Sequence, residues 1–484
     1  MSLWIDAICI NQNDNQERGH QIAHMRSIYH RASEVMICLG EADDTSDAAM
    51  DYIRYEAHED DTLPLYVMDL LSRPWWSRVW VVQEAATARR EPVFRCGDKE
   101  LTWSCLRRLQ TKVPFISWLQ YVMEVRRWGY KPQDMDDPIE KIHSTIHMRM
   151  FFGAVDRLRG GTPLSWRDVL ALGCVMQSTD PRDRIYALMG LLDPQQCLRL
   201  EPDYNKDVAL VSREAAFLSL QRSKGLEPLT MTSSISREYL PTWVADLTYG
   251  EPGIFMTADT SIYQAAQGTT AQLRWSADYM VLHASGIVCD TIVDVVYGQN
   301  NKATADKRAF GRARHLAYTS GKHNGLDPSV TKDRFWRTMI MNQGWPGSGS
   351  TLAGPIYPAP QDLGHRYMAW QREVEVPAEA IGEGIVFKWH LEYFKPYFAS
   401  HRAVSDEKRW SFFTTESARF GFGQQGVMSG DLVCLLCGGH VAYILRKEKD
   451  HHILVGCAYV HGVMDGEIAV ELSNTEQLRE FGIH

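Results

Sequence analysis

The sequence has 484 residues, of which 45% are hydrophobic and 23% charged, proportions typical of a globular protein with two or three domains. Its net charge of −9 argues against a broad nucleic-acid interface, because such an interface needs a concentrated basic surface. No apolar run is long enough to cross a bilayer, and the ten cysteines are scattered without a dense framework. We therefore expect a soluble cytoplasmic protein with reduced thiols, no membrane span and no nucleic-acid partner.

The first forty residues predict a strand, a helix and a second strand. The apolar run 3–10 is typical of a buried strand, a helix is expected from about Glu17, and the run 34–40 predicts a second strand that ends at Gly40. Because both strands are apolar throughout, the pattern indicates a βαβ unit in a parallel sheet. The acidic stretch 41–61 is interpreted as a solvated helix and loop.

The tryptophan segment, residues 72–85, is the most distinctive stretch of the chain. Pro74 suits the first turn of a helix, and Val79 and Val82 then recur at helical spacing as part of an apolar stripe. Continued as one helix, the segment places three side chains on a second face: Trp76, Trp80 and Glu84. The residues expected to face the core of this domain are Ile22, Met25, Ile28, Val79 and Val82.

Glu84 is the candidate functional acid of this segment. An acid held beside tryptophan is a candidate for a shifted pKa, and such groups gather at functional sites. The alternative is a solvated glutamate or one paired with a nearby arginine, Arg78, Arg89 or Arg90. Asp6, near the end of the first predicted strand, is a candidate binding residue, because open α/β sheets bind ligands at the carboxyl ends of their strands. Trp80, on the same predicted helical face as Glu84, is the second candidate binding residue.

The rest of the chain divides into a helical region and a mixed region. Residues 104–225 are mainly helical in pattern, and Asp180, Pro181 and the apolar positions after them predict a capped structural helix. Strand patterns return at about 279–295 and 410–472, on either side of a helix-rich insert at 300–400. We predict an α/β domain (1–110), a helical region (111–250) and a mixed region (251–484) with a small, mostly antiparallel β unit, closed or nearly closed.

Several motifs with a chemical meaning are better explained by structure. Residues 421–426 match G-x-G-x-x-G, but a strand pattern follows where a dinucleotide loop would open a helix. The pairs His20/His24 and His143/His147 have the spacing of metal ligands on a helix but lack a third ligand nearby. The lone C-x-x-C at 434–437 is weak support for a metal or redox site, and 461–467 suits a tight turn. The residues themselves predict no metal and no cofactor.

Two groups of motifs resemble a known family. Those that resemble the middle of a fungal heterokaryon-incompatibility (HET) domain are residues 3–12, Met25, Ile28, Tyr29, Ala32, 39–40, 73–84 and 96–97. Those similar to features downstream of that domain in many members are residues 180–188, 240–244, 430–431 and 459–467. The strand and helix that normally precede Leu3 in the family, with a segment resembling Leu-Ser-Tyr-Val-Trp-Gly, are not in this sequence.

The resemblance implies a role in fungal non-self recognition, in which HET-domain proteins trigger cell death when incompatible strains fuse. The alternatives are a non-catalytic interaction module, or an accessory protein of a fungal biosynthetic gene cluster. HET domains are also thought to be related to Toll/interleukin receptor (TIR) domains, and residues 78–84 are similar to the tryptophan-to-glutamate segment of plant TIR domains. This implies an incomplete TIR-like parallel sheet, with Glu84 as the catalytic acid, Trp80 beside it and NAD as the substrate. An exposed sheet edge at residues 3–10 favours a protein partner or self-association.

Overall fold

A computed structural model describes residues 3–56, 64–110, 138–193, 200–223, 225–232, 239–248, 260–299, 303–344, 356–364, 409–473 and 476–484. Parts of the predicted helical region (111–137) and of the predicted insert (345–355 and 365–400) lie outside these residues. The chain forms two compact units. The first is Met1–Arg222 with Leu247–Gly250, and the second is Ser223–Asp246 with Glu251–His484.

Helices dominate the first unit. Its α-helices are α1 (Asp6–Cys9), α2 (Asn15–Arg31), α3 (Asp44–Asp51), α4 (Leu65–Leu71), α5 (Val81–Thr87), α6 (Trp103–Gln110), α7 (Pro138–Arg159), α8 (Trp166–Val175), α9 (Asp183–Met189) and α10 (Val208–Arg222). Asp14 caps α2 by accepting from the backbone N–H groups of Gln16 and Glu17. The predicted helix from about Glu17 is therefore confirmed, and Met25 is buried on it.

A small mixed sheet accompanies these helices. Its strands are β1 (Met36–Gly40), β2 (Val93–Cys96) and β3 (Lys99–Thr102), in that order across the sheet. β1 is parallel to β2, whereas β2 and β3 form an antiparallel hairpin that turns at Gly97. The second predicted strand is thus confirmed as β1, and an α/β arrangement is present. The sheet is mixed, however, and a TIR-like assignment is not confirmed.

The prediction of a strand at residues 3–10 is wrong. Asp6–Cys9 is the short helix α1, in whose first turn the Asp6 carboxylate accepts from the N–H of Ala7. No residue of α1 is buried, and Ile8 is 78% exposed. A short apolar run does not by itself distinguish a strand from a helix, and here no neighbouring strand pairs with it among the described residues. Asp6 therefore lies at the start of a helix and not at the end of a strand.

Aromatic side chains fill the centre of the first unit. The ring of Trp76 stacks on Phe94 at 5.7 Å and meets Phe151 edge-on at 5.8 Å. Trp75 contacts Trp76 edge-on at 4.8 Å, and Trp103 adds to the same cluster through Phe152. Val79 and Val82 are fully buried, as predicted.

Strands dominate the second unit. They are β4 (Leu273–Trp275), β5 (Leu282–Gln299), β6 (Arg409–Thr415), β7 (Phe420–Gln424), β8 (Leu432–Leu436), β9 (Ala442–Glu448), β10 (His451–Val460) and β11 (Arg479–Ile483). β5 is followed along the chain by α11 (Ala303–His323) and α12 (Pro328–Met339). Both lie within the range of the predicted helix-rich insert.

Six of these strands close into a barrel. β5 pairs with β6, β6 with β7, β7 with β10, β10 with β9, β9 with β8, and β8 with β5, all antiparallel. β5 closes the ring because it pairs with β8 in its first half and with β6 in its second half. It is 18 residues long and changes register at two bulges, between Val288 and Asp290 and between Ile292 and Asp294. The mostly antiparallel β unit is therefore confirmed, including the pairing of residues 286–288 with strand β8.

In the described parts of the chain, no helix combines the length and the apolar character that crossing a membrane requires.

Candidate functional site

The tryptophan segment is not one continuous helix, contrary to the sequence prediction. Pro74–Ser77 forms a single 3₁₀ turn, Arg78 is extended (φ −71°, ψ 136°), and α5 begins only at Val81. The break turns Trp76 into the aromatic core, where it is 2% exposed, and leaves Trp80 half-buried at the start of α5. Trp76, Trp80 and Glu84 therefore do not share a face.

A backbone contact from a distant part of the chain explains the break. The N–H of Val79 donates to the carbonyl of Gln177 at 2.9 Å, and the N–H of Gln177 donates to the carbonyl of Ser77 at 2.6 Å. These two bonds form a parallel bridge beside Arg78. Because backbone groups so engaged cannot also form helical hydrogen bonds, tertiary pairing outweighs the local helical preference here.

Glu84 lies on the first turns of α5 with its carboxyl group half-buried. The indole Nε1–H of Trp75, not of Trp76, donates to Oε2 of Glu84 at 3.0 Å. Burial raises the pKa of Glu84 above its ordinary value, and the charge of Asp6 adds to the rise. The positive charge of Arg78 and the Trp75 hydrogen bond act in the opposite direction but do not cancel the effect of burial.

Three further residues interact electrostatically with the Glu84 carboxyl group: Asp6, Tyr29 and Arg78. Burial and the charges of Glu84 and Asp6 raise the pKa of Tyr29, whereas the charge of Arg78 lowers it. The Tyr29 ring also meets Trp4 edge-on at 5.8 Å. We define the Glu84 site as Asp6, Tyr29, Trp75, Arg78 and Glu84. The structure thus brings Asp6 near Glu84 even though the predicted strand is absent.

Arg78 is exposed and forms no ion pair with Glu84. Among the described residues, neither Arg89 nor Arg90 pairs with Glu84 either, so its carboxyl group is neither fully solvated nor neutralised by a direct partner. A half-buried carboxyl group of this kind has two chemical uses. When protonated it donates a proton, and when ionised it stabilises a positive charge that develops beside it.

A second acid, Asp183, contacts the same segment. The indole Nε1–H of Trp80 donates to Oδ2 of Asp183 at 3.3 Å, and the hydroxyl of Tyr204 donates to Oδ1. Asp183 is 8% exposed, and burial raises its pKa, an effect that the nearby charge of Asp180 reinforces. The sequence analysis missed this residue, since it explained the segment after Asp180 as a capped structural helix.

Two arginines near Asp183 form their ion pairs with Asp180, although the charge of Arg18 partly offsets the rise in the pKa of Asp183. Arg182 pairs with Asp180 at 2.8 Å, and Arg18 lies 3.8 Å from the centre of the Tyr204 ring. The only sequence signal that could have indicated Asp183 is an acid in the first turn of a helix just after a second acid. That pattern is ordinary at helix starts, because the helix dipole favours it.

The remaining motifs have structural explanations or lie in other surroundings. Residues 421–424 belong to β7, which pairs with β6, so the G-x-G-x-x-G match is part of a hairpin as predicted. The imidazoles of His20 and His24 are exposed and touch edge-on, whereas the side chains of His143 and His147 lie outside the described residues. His461 approaches the Tyr459 hydroxyl through Nδ1 at 3.1 Å, and burial lowers the pKa of His461 to about 4.

The thiols of Cys434 and Cys437 are buried, and burial raises the pKa of both. Such thiols are poor nucleophiles and poor metal ligands, because both roles need the thiolate. Within the ranges that the structure describes, no group of three or more His, Cys, Asp or Glu side chains is arranged to hold a metal ion.

Comparison with known proteins gives matches at both ends of the chain. Residues 1–84 match the family model of the heterokaryon incompatibility protein (HET), and residues 392–482 match that of the Het-6 beta-barrel domain. The chain is 22% identical to "Heterokaryon incompatibility protein 6, OR allele" of Neurospora crassa, over 97% of this chain and 82% of the relative. No solved structure matches the chain. The HET match ends at Glu84, and the barrel match contains strands β6 to β10. The chain is therefore similar to heterokaryon incompatibility proteins in its first 84 residues and to the Het-6 beta-barrel domain near its end.

Proposed function

We propose that the protein acts in heterokaryon incompatibility, the process for which its Neurospora crassa relative is named. The observation that carries this proposal is the extent of that match, which includes 97% of the chain. The two family models support it, because each of the two units contains a match. One match includes the tryptophan segment of the first unit, and the other includes strands of the barrel in the second unit. In this proposal, the first unit triggers arrest of growth or cell death and the second unit regulates it through a protein partner.

Controlled overexpression in a filamentous fungus tests this function. We expect strong expression to arrest colony growth and to increase staining with a dye that enters only dead cells. The matched control is the Trp76→Ala variant under the same promoter, because loss of a core indole should strongly destabilise the first unit. Normal growth with abundant folded wild-type protein would favour instead the interaction module or the accessory protein of a biosynthetic cluster.

The environment of Glu84 supports a second candidate function, hydrolysis of the bond between nicotinamide and ribose in NAD. As this C–N bond breaks, its electron pair leaves with nicotinamide and positive charge develops on the ribose ring. An ionised Glu84 would stabilise this charge and accept a proton from the attacking water. Because the strand expected from the TIR resemblance is a helix, this proposal depends on the half-buried Glu84 carboxyl group and its raised pKa.

The assay for this second function measures release of nicotinamide from NAD by the purified full chain. We expect Glu84→Gln to abolish release of nicotinamide. We also expect wild-type activity to rise with pH as Glu84 ionises, at pH values above those at which an ordinary glutamate ionises. Glu91→Gln, a change in the same unit outside the Glu84 site, is the control. If the wild-type protein releases no nicotinamide and Glu84→Gln still arrests growth, Glu84 has no catalytic role.

A further inference from the structure

Asp183 contacts the tryptophan segment at the residue from which the helix of Glu84 starts. Trp80 precedes α5, and its carbonyl accepts the N–H of Glu84 at 3.3 Å. The same residue donates its indole N–H to Asp183. Trp80 therefore connects the carboxylate of Asp183 to the turn that carries Glu84.

Three other hydrogen bonds join these segments on either side of Trp80. The bridge to Gln177 holds Ser77 and Val79 before it, and Gln83 Nε2 donates to the carbonyl of Ala187 at 2.6 Å after it. Gln83 is 1% exposed, so this bond is shielded from water. Residues 177–187 thus contact the tryptophan segment before, at and after Trp80.

A purely structural explanation of Asp183 fits poorly with its surroundings. Burying a carboxylate costs free energy unless an opposite charge compensates it, and no ion pair to Asp183 is present among the described residues. Arg182 and Arg18 pair with Asp180 instead. Trp80 and Tyr204 provide hydrogen bonds, but an uncharged acceptor would serve them with a smaller desolvation cost. Groups held at such a cost are characteristic of functional sites.

We propose that Asp183 is a positioning residue of the Glu84 site, which fixes the first turn of the Glu84 helix through the indole of Trp80. The proposal depends on a functional role for Glu84, and it makes residues 177–187 part of the same site. Asp183 acts on the site only through Trp80 and contacts no substrate itself. Loss of the Trp80 bond lets the first turn of α5 shift and admits water to the Glu84 carboxyl group.

The indole of Trp75 offers a direct probe, because it donates to Glu84. Its Nε1–H resonance in the full chain, labelled with ¹⁵N-tryptophan and assigned with Trp75→Phe, should move with pH as Glu84 titrates. We expect Trp80→Phe, which keeps most of the ring and removes the N–H donor, to shift the midpoint toward the ordinary glutamate pKa by roughly half a pH unit or more. Asp183→Ala should shift it in the same direction, and Asp183→Asn, which retains an oxygen acceptor, should restore most of the wild-type midpoint.

The first unit supplies a matched control in a second indole–carboxylate pair. Trp103 belongs to the aromatic cluster that Trp75 also joins, but its Nε1 donates to Asp156 at 3.1 Å and not to Glu84 or Asp183. We expect Trp103→Phe to leave the Trp75 midpoint unchanged. An unchanged midpoint in Trp80→Phe, or an equal shift in Trp80→Phe and Trp103→Phe, would overturn the positioning role. Because this measurement needs no growth arrest and no NAD cleavage, failure of either proposed function is separable from failure of the positioning role.

Discussion

At the scale of single residues, two indoles of one short segment each hold a different acid. Trp75 donates to Glu84 and Trp80 donates to Asp183, and burial raises the pKa of both carboxyl groups. For an acid with a raised pKa, the folded state favours the protonated form. The free energy that this preference contributes to folding is fully present at pH values below the pKa that the acid has in the unfolded chain. It is lost as the pH rises through the pKa that the acid has in the folded protein. At neutral pH, both acids therefore reduce the stability of the fold.

This sign leads to a prediction for Glu84→Gln. The glutamine oxygen can still accept from Trp75, and the buried charge is absent, so we expect a thermal midpoint at pH 7 equal to or above that of the wild-type protein. The advantage should shrink as the pH falls toward the ordinary range of a glutamate, where the wild-type carboxyl group is protonated as well. Calorimetry from pH 4 to pH 8 measures this dependence. A lower midpoint for the variant at pH 7 would show that the ionised carboxylate stabilises the fold.

The two tryptophans that were expected on one face should differ in their effect on stability. Trp76 is 2% exposed, stacks on Phe94 and donates to the carbonyl of Leu70 at 2.9 Å. We expect Trp76→Ala to lower the free energy of unfolding by roughly 3–5 kcal/mol. Trp80→Ala should cost less, because that ring is only half-buried. Urea denaturation measures the free energy of unfolding of the two variants. Equal losses of this free energy would contradict the difference in burial between Trp76 and Trp80.

At the scale of secondary-structure elements, the barrel strands β6 and β7 pack closely at glycines. Gly421 pairs directly with Phe413, and a Cβ atom at Gly421 would overlap the Phe413 ring. At Gly423, in the same strand, a Cβ atom would meet its nearest neighbours at an ordinary 3.5 Å. The first glycine of the G-x-G-x-x-G match is thus required by aromatic packing across a hairpin and not by a phosphate.

The pair of glycines gives a matched test of this interpretation. We expect Gly421→Ala to destabilise the second unit by about 1–3 kcal/mol, because the ring of Phe413 must move, and Gly423→Ala to have a smaller effect. Chemical denaturation followed by the signal of the barrel tryptophan Trp410 measures both. Similar losses for the two variants would mean that glycine is needed in β7 for backbone reasons alone.

At the scale of the whole molecule, each unit has its own core. The first has the aromatic cluster around Trp76, and the second has a barrel whose strands carry fully buried side chains such as Phe412, Phe422 and Leu445. Separate cores favour separate responses to core mutations. Core variants of each unit therefore test which unit the proposed growth arrest needs.

Hydrogen exchange of the full chain tests the separation. We expect Trp76→Ala to accelerate amide exchange in β1, β2 and α5, and to leave the barrel strands β8 and β9 largely protected. Gly421→Ala should produce the reverse pattern. Acceleration throughout both units by either variant would show that the chain unfolds as one cooperative body.

The sequence determined the elements whose pattern is local. The helix from about Glu17, the strand β1, the buried Val79 and Val82 and the strands of the barrel all followed from periodicity and turn residues. The resemblance to the HET family also came from the sequence, because motifs such as residues 73–84 are read directly. These features depend on interactions between residues close in the chain, or on the burial of one face, and both leave a periodic trace.

Tertiary structure decided the features that depend on distant partners. The run 3–10 is apolar enough for a strand, but a strand needs a neighbour to satisfy its backbone, and the residues instead form α1. The tryptophan segment has helical spacing, but the backbone of Gln177, almost one hundred residues away, pairs with Ser77 and Val79 and breaks it. The same contact explains why Trp75, and not Trp76, reaches Glu84, and why Asp183 joins Trp80: pairing across that distance leaves no periodic trace in the sequence.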